Sequence, residues 1–364
     1  LSDNFTLEEM KEAVEYTHSL GKKVYVTLNL IAHNADLEGL AEYVKYLEEI
    51  KVDGVIVADL GVLQIVSENT ALNISISTQA SNTNWRSVKM WQSLGAKRVV
   101  LARELSLEEI KEIKEKVPEI EIEMFIHGAM CISISGKCKI SNYMTGRDAN
   151  RGSCAHPCRW KYNLTEEKRP GEYFPVEEDE HGTYIFNSKD LCTIEFIDKI
   201  LELGIHSLKI EGRMKGIYYA AVCAKIYREA LDAYYSGNYK YNPQWLEELL
   251  ATSNRKYTTG FYEGKTDETS QNYESAAQIQ SYSMVAKVIE DLGNDEYILE
   301  IRNRVEQGED IEVLKPVGEN KRIIFPELEV LSTGEKLPYG NPNMIAKIKC
   351  TEKLEKLDMF RKKI

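Results

Sequence analysis

The sequence predicts a parallel α/β barrel of the TIM type, followed by a small all-β domain. Short, apolar, β-branched strands alternate with amphipathic helices over roughly the first two thirds of the chain. A polar or charged side chain follows each of these strands, at the positions from which a TIM barrel builds its active site. From Met284 onward the pattern changes to short strands separated by turns, which is typical of a small β-barrel.

The barrel elements follow in order from local signals. Thr6 and Glu9 have capping-box spacing and Gly21 follows Leu20, so the first helix is predicted over residues 6–20. Hydrophobic periodicity predicts further helices over residues 37–50, 60–69, 84–94, 106–117, 193–203 and 214–235. Six strands are predicted over residues 23–30, 54–59, 73–79, 98–104, 120–128 and 207–213, with a weaker seventh over residues 184–190. A closed TIM barrel has eight strands, so this count is short.

The polar residues at the strand ends indicate a catalytic face. They are Asn29, His33, Asp59, Gln79, Asn82, Arg103, Glu104, His127, Glu211 and Arg213. Any one of them alone is more often a helix cap or an ion-pair partner, and it is their recurrence that favours a site. No strand is followed by a Gly-rich phosphate fingerprint or a Walker lysine, which disfavours a nucleotide-binding doubly wound sheet.

The predicted domains are a barrel domain over residues 1–242, a connector with little core over residues 243–283, and a small β-barrel domain over residues 284–364. Within the first, residues 131–183 are predicted to be a cysteine-rich insertion. Ordinary βα loops have about 2–6 residues, and a much longer segment at the catalytic face tends to be functional.

Four of the seven cysteines lie in the first part of this insertion, with the spacing C-x6-C-x15-C-x3-C. They are Cys131, Cys138, Cys154 and Cys158. Clustered thiolates in a Gly-rich segment suit a soft metal ion or an iron–sulfur cluster, and the spacing does not separate zinc from a 4Fe–4S cluster. Four incidental thiols are the alternative, while Cys223 and Cys350 are predicted to be structural.

Composition limits the class of protein. The odd count of seven cysteines in 364 residues fits a reducing compartment better than a disulfide framework. No apolar run approaches the roughly 20 residues of a membrane span, and the first residues lack the features of a signal peptide. A cytoplasmic location and no membrane partner are therefore expected. The net charge of −12 argues against general coating of nucleic acid.

A local basic island nevertheless surrounds the cysteines. It consists of Lys137, Lys139, Arg147, Arg151, Arg159 and Lys161. Tyr143, Trp160 and Tyr162 flank it, and aromatic side chains beside cations suit stacking on an extruded base. A solvated loop whose aromatic side chains pack onto the barrel is the alternative.

Several blocks of the sequence resemble peptidase family U32, once described as collagenase-like proteases. The positions that fit the family signature are Glu123, Phe125, Gly128, Ala129, Met130, Cys131, Gly136, Cys138, Ile140 and Ser141. Residues 142–160, 184–192 and 207–215 resemble the branch that modifies tRNA, and the resemblance covers the whole chain. The family pattern implies a further strand–helix–strand unit ahead of residue 1, and a C-terminal barrel similar to those of translation factors.

The resemblance also implies a reaction. It is the hydroxylation of the wobble uridine of tRNA to 5-hydroxyuridine, with prephenate as co-substrate and a 4Fe–4S cluster. The cluster ligands would be Cys131, Cys138, Cys154 and Cys158, with Cys192 as an alternative fourth ligand and zinc as the alternative metal. The expected partners are tRNA, the dicarboxylate prephenate and, as a further candidate, a paralogous protein.

The remaining site residues follow from the chemistry of a dicarboxylate, which calls for bidentate guanidinium partners. The predicted substrate-binding residues are Arg103, Arg147, Arg159 and Lys209. The predicted catalytic residues are His127, Glu211 and Arg213. Ion pairing of Glu211 with Arg213 or Lys209 is the structural alternative, and His127 could equally be a structural histidine.

Two other functions stay open at this point. The chain has no H-E-x-x-H zinc site and no G-x-S-x-G elbow, but a Cys–His nucleophile pair could assemble in space, so a collagenase-like peptidase is the first alternative. A non-enzymatic RNA-binding or redox module with a structural metal is the second. Grouped cysteines favour a cluster over a single nucleophile.

Overall fold

The computed structural model describes residues 5–131, 133, 135, 137–159, 177–179, 182–184, 189–213, 215–253, 256–264 and 281–364. The chain divides into two compact units. The first unit comprises Leu1–Met214 and Tyr257–Ala276, and the second comprises Lys215–Lys256 and Ala277–Ile364. These limits differ from the domain boundaries predicted at residues 242 and 283.

The first unit alternates helices and strands. Its helices are α1 (Leu7–Ser19), α2 (Leu40–Glu49), α3 (Leu60–Asn69), α4 (Trp85–Ser93), α5 (Leu107–Lys116), α6 (Ile140–Thr145) and α7 (Ile197–Glu202). Its strands are β1 (Tyr25–Leu28), β2 (Gly54–Val57), β3 (Ile74–Ile76), β4 (Arg98–Val100), β5 (Glu121–Ala129), β6 (Glu177–Asp179), β7 (Gly182–Tyr184), β8 (Asp190–Cys192), β9 (Ser207–Ile210) and β10 (Tyr257–Thr258). The capping box of Thr6 and Glu9 starts α1 as predicted, and Ser106 starts α5 in the same way.

Six parallel strands form the main sheet, in the order β1-β2-β3-β4-β5-β9. These are the six strands predicted from the sequence, so the α/β class with a parallel sheet is confirmed. All residues of β2 and β3 are buried, as expected for strands covered on both faces. Among the described residues β1 and β9 do not pair, and closure into a TIM barrel stays a prediction.

The weaker seventh strand differs from the expectation of another parallel barrel strand. The strand found there is β8, which runs antiparallel to β5 with His127 opposite Cys192 and Ala129 opposite Asp190. The long segment after β5 leaves the sheet at the carboxyl ends of the strands. The chain returns from that same side, which gives β8 the opposite direction. The short strand β10 then pairs in parallel with β8.

A charged layer lies on one side of the sheet, towards the amino ends of β5 and β9. The Glu123 carboxylate accepts hydrogen bonds from Lys209 Nζ at 2.9 Å and from Ser207 Oγ at 2.8 Å, and it pairs with Arg98 at 3.3 Å. Its side chain is only 9% exposed. Buried charges need such partners, because an isolated one would be too costly to desolvate.

We expect Glu123→Gln to destabilise the first unit by about 2 kcal/mol at neutral pH, because it leaves the half-buried Lys209 without its counter-ion. Burial raises the pKa of Glu123, but Lys209, Ser207 and Arg98 lower it more, so the net shift is downward. The carboxylate therefore stabilises the fold above its unfolded pKa of about 4.3, and this contribution is lost as the pH falls through the lower folded value.

Urea unfolding between about pH 7 and pH 3 checks this, with wild type losing stability on acidification and Glu123→Gln losing much less. Glu121→Gln is the matched control, because Glu121 pairs with the same Arg98 but its side chain is 48% exposed. Equal losses of unfolding free energy in the two variants would contradict the view that the burial of Glu123 makes its pairing important.

The second unit combines two helices with an antiparallel half-barrel. Its helices are α8 (Ile217–Tyr235) and α9 (Pro243–Leu250). Its strands are β11 (Tyr282–Gly293), β12 (Glu296–Ile301), β13 (Val305–Glu306), β14 (Asp310–Leu314), β15 (Lys321–Ile324), β16 (Leu328–Val330), β17 (Lys336–Leu337), β18 (Tyr339–Gly340), β19 (Ile345–Lys349) and β20 (Met359–Lys363). The sheet order is β15-β14-β20-β11-β12-β19-β16-β17. The predicted all-β region is confirmed.

A buried arginine joins the helices to this sheet. The Arg361 guanidinium in β20 donates to both carboxylate oxygens of Glu248 in α9 at 2.7 Å and to Tyr218 of α8 at 3.1 Å. It also pairs with Glu312 of β14 at 3.0 Å, and its side chain is fully buried. The two helices therefore share a polar core with the half-barrel. In the described parts of both units, no helix has the length and apolar character needed to cross a membrane.

Candidate functional site

The candidate site lies where β5 and β9 end. Gly128 has a φ of +113°, and a Cβ at this position would overlap the backbone of Glu211. The backbones of the two strands come this close because Glu211 donates its N–H to the His127 carbonyl at 2.9 Å. Glycine is required at this approach, since a side chain would meet both steric overlap and a strained backbone.

The carboxylate of Glu211 is held by backbone groups. One oxygen accepts the Ala129 N–H at 3.3 Å, and the other accepts the Arg213 N–H at 3.1 Å. The predicted pairing of Glu211 with Arg213 thus takes the form of a backbone hydrogen bond. Lys209, the other predicted partner, pairs with Glu123 instead, because strand alternation places it in the charged layer.

His127 is buried in the sheet, with 1% of its surface exposed. The Tyr257 hydroxyl lies 3.4 Å from His127 Nε2, and the two rings meet edge to face at 5.1 Å. Tyr257 was missed by the sequence reasoning, because it follows His127 by 130 residues and lies in a stretch predicted to be a connector. Its hydroxyl can fix the orientation of the imidazole ring, whichever nitrogen carries the proton.

Three of the four predicted cysteine ligands share one local geometry. Each sulfur accepts a hydrogen bond from the backbone N–H two residues further along. The pairs are Ser133 N–H to Cys131 at 3.5 Å, Ile140 N–H to Cys138 at 3.4 Å, and His156 N–H to Cys154 at 3.4 Å. Hydrogen bonds to sulfur stabilise thiolates and are one of the factors that set the potentials of iron–sulfur clusters.

Two of these cysteines, Cys138 and Cys154, affect the pKa of the third, Cys131. Burial raises the pKa of the Cys131 thiol, and the charges of Cys138 and Cys154 raise it further, against the lowering effects of the Ser133 N–H and Arg103. Cys131 as a whole residue is exposed, yet protein atoms surround its sulfur closely enough for burial to be the largest effect. Thiols that lie 7 and 23 positions after Cys131 in the sequence therefore influence its pKa.

These thiols fit a soft metal in donor chemistry. Thiolate sulfurs with backbone N–H donors are the ligands of zinc and iron–sulfur sites. Within the described ranges, however, no three or more His, Cys, Asp or Glu side chains are arranged to hold a metal ion. Cys158 follows in a short 3-10 helix, Pro157–Arg159, and is half-buried. The β5–β8 register places Cys192 four residues before Cys131, roughly 13 Å along the strand.

Two of the predicted arginines lie at this strand end. Arg103 donates to the Ala129 carbonyl at 2.5 Å, and its guanidinium stacks on the Phe125 ring at 3.9 Å. Arg213 is exposed, and its guanidinium lies against Gly152, where a Cβ would overlap it. Arg147 is exposed further along the same segment. The side chain of Arg159 lies outside the described residues.

The segment that carries Cys154 is clamped to the loop after β1. The Asn150 side chain accepts the Ile31 N–H at 2.8 Å and donates to the Ile31 carbonyl at 3.1 Å. Arg151 forms a bidentate pair with Asp36, at 2.9 and 2.8 Å. Arg151 lowers the pKa of the Asp36 carboxyl, which keeps the pair charged. These bonds hold the part of the segment just before Cys154 against the loop that follows β1.

Other strand-end residues serve the fold. Asp59 caps α3 by accepting the Gly61 N–H at 2.8 Å. The Asn82 amide donates to the Ser77 and Val100 carbonyls, both at 2.9 Å, and so ties β3 to β4. Among the described residues the buried oxygens Asn82 Oδ1 and Glu104 Oε2 have no hydrogen-bond partner. The strand ends therefore supply structural contacts as well as the candidate site.

Comparison with known protein families gives two matches that together span most of the chain. The model of peptidase family U32 matches residues 1–272, and the model of the peptidase family U32 C-terminal domain matches residues 280–361. The first match alone covers more than half of the 364 residues. The boundary between the two matches lies after α8 and α9, although these helices belong to the second compact unit.

Individual relatives are similar over nearly the whole chain. The tRNA hydroxylation protein P1 of Bacillus subtilis is 40% identical over 99% of this chain and 86% of its own length. The tRNA hydroxylation protein P of Escherichia coli is 37% identical over 93% of this chain and 83% of its own length. A collagenase of Porphyromonas gingivalis is 30% identical over 98% of this chain and 89% of its own length.

Proposed function

The chain belongs to peptidase family U32, and from that premise we propose that it hydroxylates tRNA, forming 5-hydroxyuridine at the wobble position with prephenate as co-substrate. The observation that carries this proposal is the cysteine site. Three thiols of the segment that follows β5 accept backbone N–H groups, and the charge of Arg103 acts on one of them, Cys131. The names of the two tRNA hydroxylation proteins support the choice of substrate.

Cys131, Cys138, Cys154 and Cys158 would hold a 4Fe–4S cluster, which supplies electron transfer when bound. Zinc is the alternative metal for the same thiols. The chain's own contribution is the set of backbone N–H donors, which reduces the negative charge on the sulfurs. The clamp between Arg151 and Asp36 holds the Cys154 segment against the loop that follows β1.

The carboxylates of prephenate need cationic partners at this site. Arg213 is exposed and its guanidinium lies against the segment two residues before Cys154, so it is well placed to bind one of them. Arg147 is exposed as well and is available to an anionic group of either substrate, a carboxylate or a phosphate. Arg103 is less available, because its guanidinium already donates to a carbonyl and stacks on Phe125.

Proton transfer would fall to residues held at the strand ends. His127 is buried next to the Tyr257 hydroxyl, which can orient the ring. Glu211 accepts two backbone N–H groups, which fix the position of its carboxylate at the strand ends. We assign Glu211 as a proton acceptor and His127 as a group that positions or shuttles the proton. The reducing cytoplasm would suit both the thiols and a tRNA substrate.

The test is nucleoside analysis of tRNA, by mass spectrometry, from cells that lack the endogenous activity and carry this chain. We expect 5-hydroxyuridine with wild type, and its loss in Cys131→Ser and Cys138→Ser. Visible absorbance, iron and sulfide of the anaerobically purified protein are measured in parallel, with a variant in which all four cysteines are serine as the reference. Colourless, iron-free wild-type protein would refute the assignment of an iron–sulfur cluster. The absence of 5-hydroxyuridine from the tRNA would refute the proposed reaction.

A collagenase-like peptidase is the second candidate. The resemblance to the Porphyromonas gingivalis collagenase favours it, and the cross-strand pair of His127 and Cys192 supplies a nucleophile and a base on one face of the sheet. Both residues are buried, at 1% and 6% exposed, which restricts access for a peptide. Cleavage of a collagenous peptide that is lost in Cys192→Ala and kept in Cys131→Ser would favour this function.

A further inference from the structure

Helix α6 presents one large aromatic side chain to solvent beside the cysteines. Tyr143 is 87% exposed, more than any other tyrosine among the exposed large hydrophobic residues. Its neighbour Met144 is 44% exposed. Single exposed apolar side chains are common on protein surfaces, so exposure alone does not define a site. The surroundings of Tyr143 decide the question.

The backbone beneath Tyr143 is fixed at both ends of α6. Ser141 is fully buried, and its hydroxyl accepts the Ala155 N–H at 2.9 Å. The Thr145 hydroxyl donates to the Ser141 carbonyl at 2.7 Å, and Gly146 ends the helix in the left-handed conformation. The aromatic ring is therefore presented by an anchored turn rather than by a free loop.

The anchors also connect α6 to the cysteine site. Ile140, the first residue of the helix, donates its N–H to the Cys138 sulfur. Ala155, which Ser141 holds, directly follows Cys154. Tyr143 follows Ile140 by three residues on the same helix, a rise of about 5 Å. A flat group stacked on Tyr143 would thus lie near the turn that bonds to the Cys138 sulfur.

Cationic residues flank Tyr143 in the sequence of a protein whose net charge is −12. Lys137, Lys139 and Arg147 are exposed, and within the described part of the chain none of them forms an ion pair. Arg151 differs, because it is paired with Asp36. An exposed ring among unpaired cations attracts a ligand that combines a flat aromatic surface with negative charge, which describes an unpaired nucleotide.

We infer that Tyr143 is the stacking platform for an unpaired base of the RNA substrate, with Lys137, Lys139 and Arg147 contacting the neighbouring phosphates. The inference rests on the proposed function, since it names the contact by which the same site would receive a tRNA loop. Stacking on one ring tolerates any base, so Tyr143 contributes affinity and position, while selection of the uridine falls to other residues.

The test measures binding of an anticodon stem-loop RNA, with uridine at the first anticodon position, to the full-length protein by fluorescence anisotropy. We expect Tyr143→Ala to weaken binding about tenfold and Tyr143→Trp to retain it. Tyr16→Ala is the matched control, because Tyr16 is 60% exposed on α1 and should have no effect. A fully paired RNA hairpin of equal length should bind weakly, and none of the three substitutions should change its affinity.

Salt dependence separates stacking from phosphate contact. Arg147→Gln should lower the slope of log affinity against log salt by about 0.7, whereas Tyr143→Ala should leave the slope unchanged. Binding of the loop that is equal for wild type and Tyr143→Ala would overturn the inference alone, and would assign this face to a protein contact. A wild-type protein that does not bind the loop would overturn the proposed function and the inference together.

Discussion

Replacing Gly128 with alanine is expected to destabilise the first compact unit by about 3 kcal/mol and to remove the activity of the strand-end site. The backbone at Gly128 has a φ of +113°, and an added Cβ would lie 2.7 Å from the Cβ of Glu211 and still closer to its carbonyl. Glu211 cannot move away cheaply, because its N–H bonds to the His127 carbonyl and joins β9 to β5.

Gly95→Ala is the matched control for this substitution. Gly95 also has a positive φ, +93°, but no atom lies within 4 Å of the position of an added Cβ. We expect it to cost only the backbone strain, about 1 kcal/mol, and to leave activity intact. Chemical denaturation and hydrogen exchange of β5 and β9 measure the two variants. Similar losses in both would show that the close approach to Glu211 adds nothing.

Arg361→Met is expected to destabilise the second unit by about 3–5 kcal/mol, because it leaves Glu248 and Glu312 facing each other without the cation between them. Burial lowers the pKa of Arg361, but its bonds to Glu248 and Tyr218 raise it more, so the guanidinium stays charged. Arg361→Lys should recover only part of the loss, since lysine cannot form the bidentate pair with Glu248.

The control for Arg361 is Arg322→Met in the same half-barrel. Arg322 pairs with Asp310 at 3.0 Å, but the two side chains are 69% and 57% exposed, and such pairs contribute at most about 1 kcal/mol. The protection of α9 and β20 amides from hydrogen exchange measures the local stability of both variants. Unchanged protection of α9 in Arg361→Met would refute the view that this arginine fastens the helices to the sheet.

The elements that the sequence predicted well are those with local signals. The capping box of Thr6, the hydrophobic periodicity of the helices and the β-branched strands placed α1–α5 and β1–β5 within a few residues, because these signals act over short stretches of the chain. The direction of β8 could not be predicted in the same way. It depends on the side of the sheet from which the preceding segment returns, and no local pattern records that.

In the candidate site, too, local features could be predicted from the sequence and long-range contacts could not. The cysteine spacing indicated a shared site for Cys131, Cys138, Cys154 and Cys158, and this site stays a prediction. The bond of Asn150 to Ile31 joins residues 119 apart, and the pairing of Arg151 with Asp36 joins residues 115 apart. Polar side chains of this kind have many possible partners along a chain, and only the fold selects one.

The course of the chain between the two units also has a consequence for its synthesis. Tyr257, which contacts His127, and Tyr262, whose hydroxyl donates to the Phe125 carbonyl at 2.6 Å, both belong to the first unit but follow α8 and α9 of the second. A nascent chain that has delivered the six main strands, β1 to β5 and β9, still lacks these two tyrosines. The strand-end site is therefore completed late in translation, and a fragment ending before Tyr257 would lack both β10 and the tyrosine beside His127.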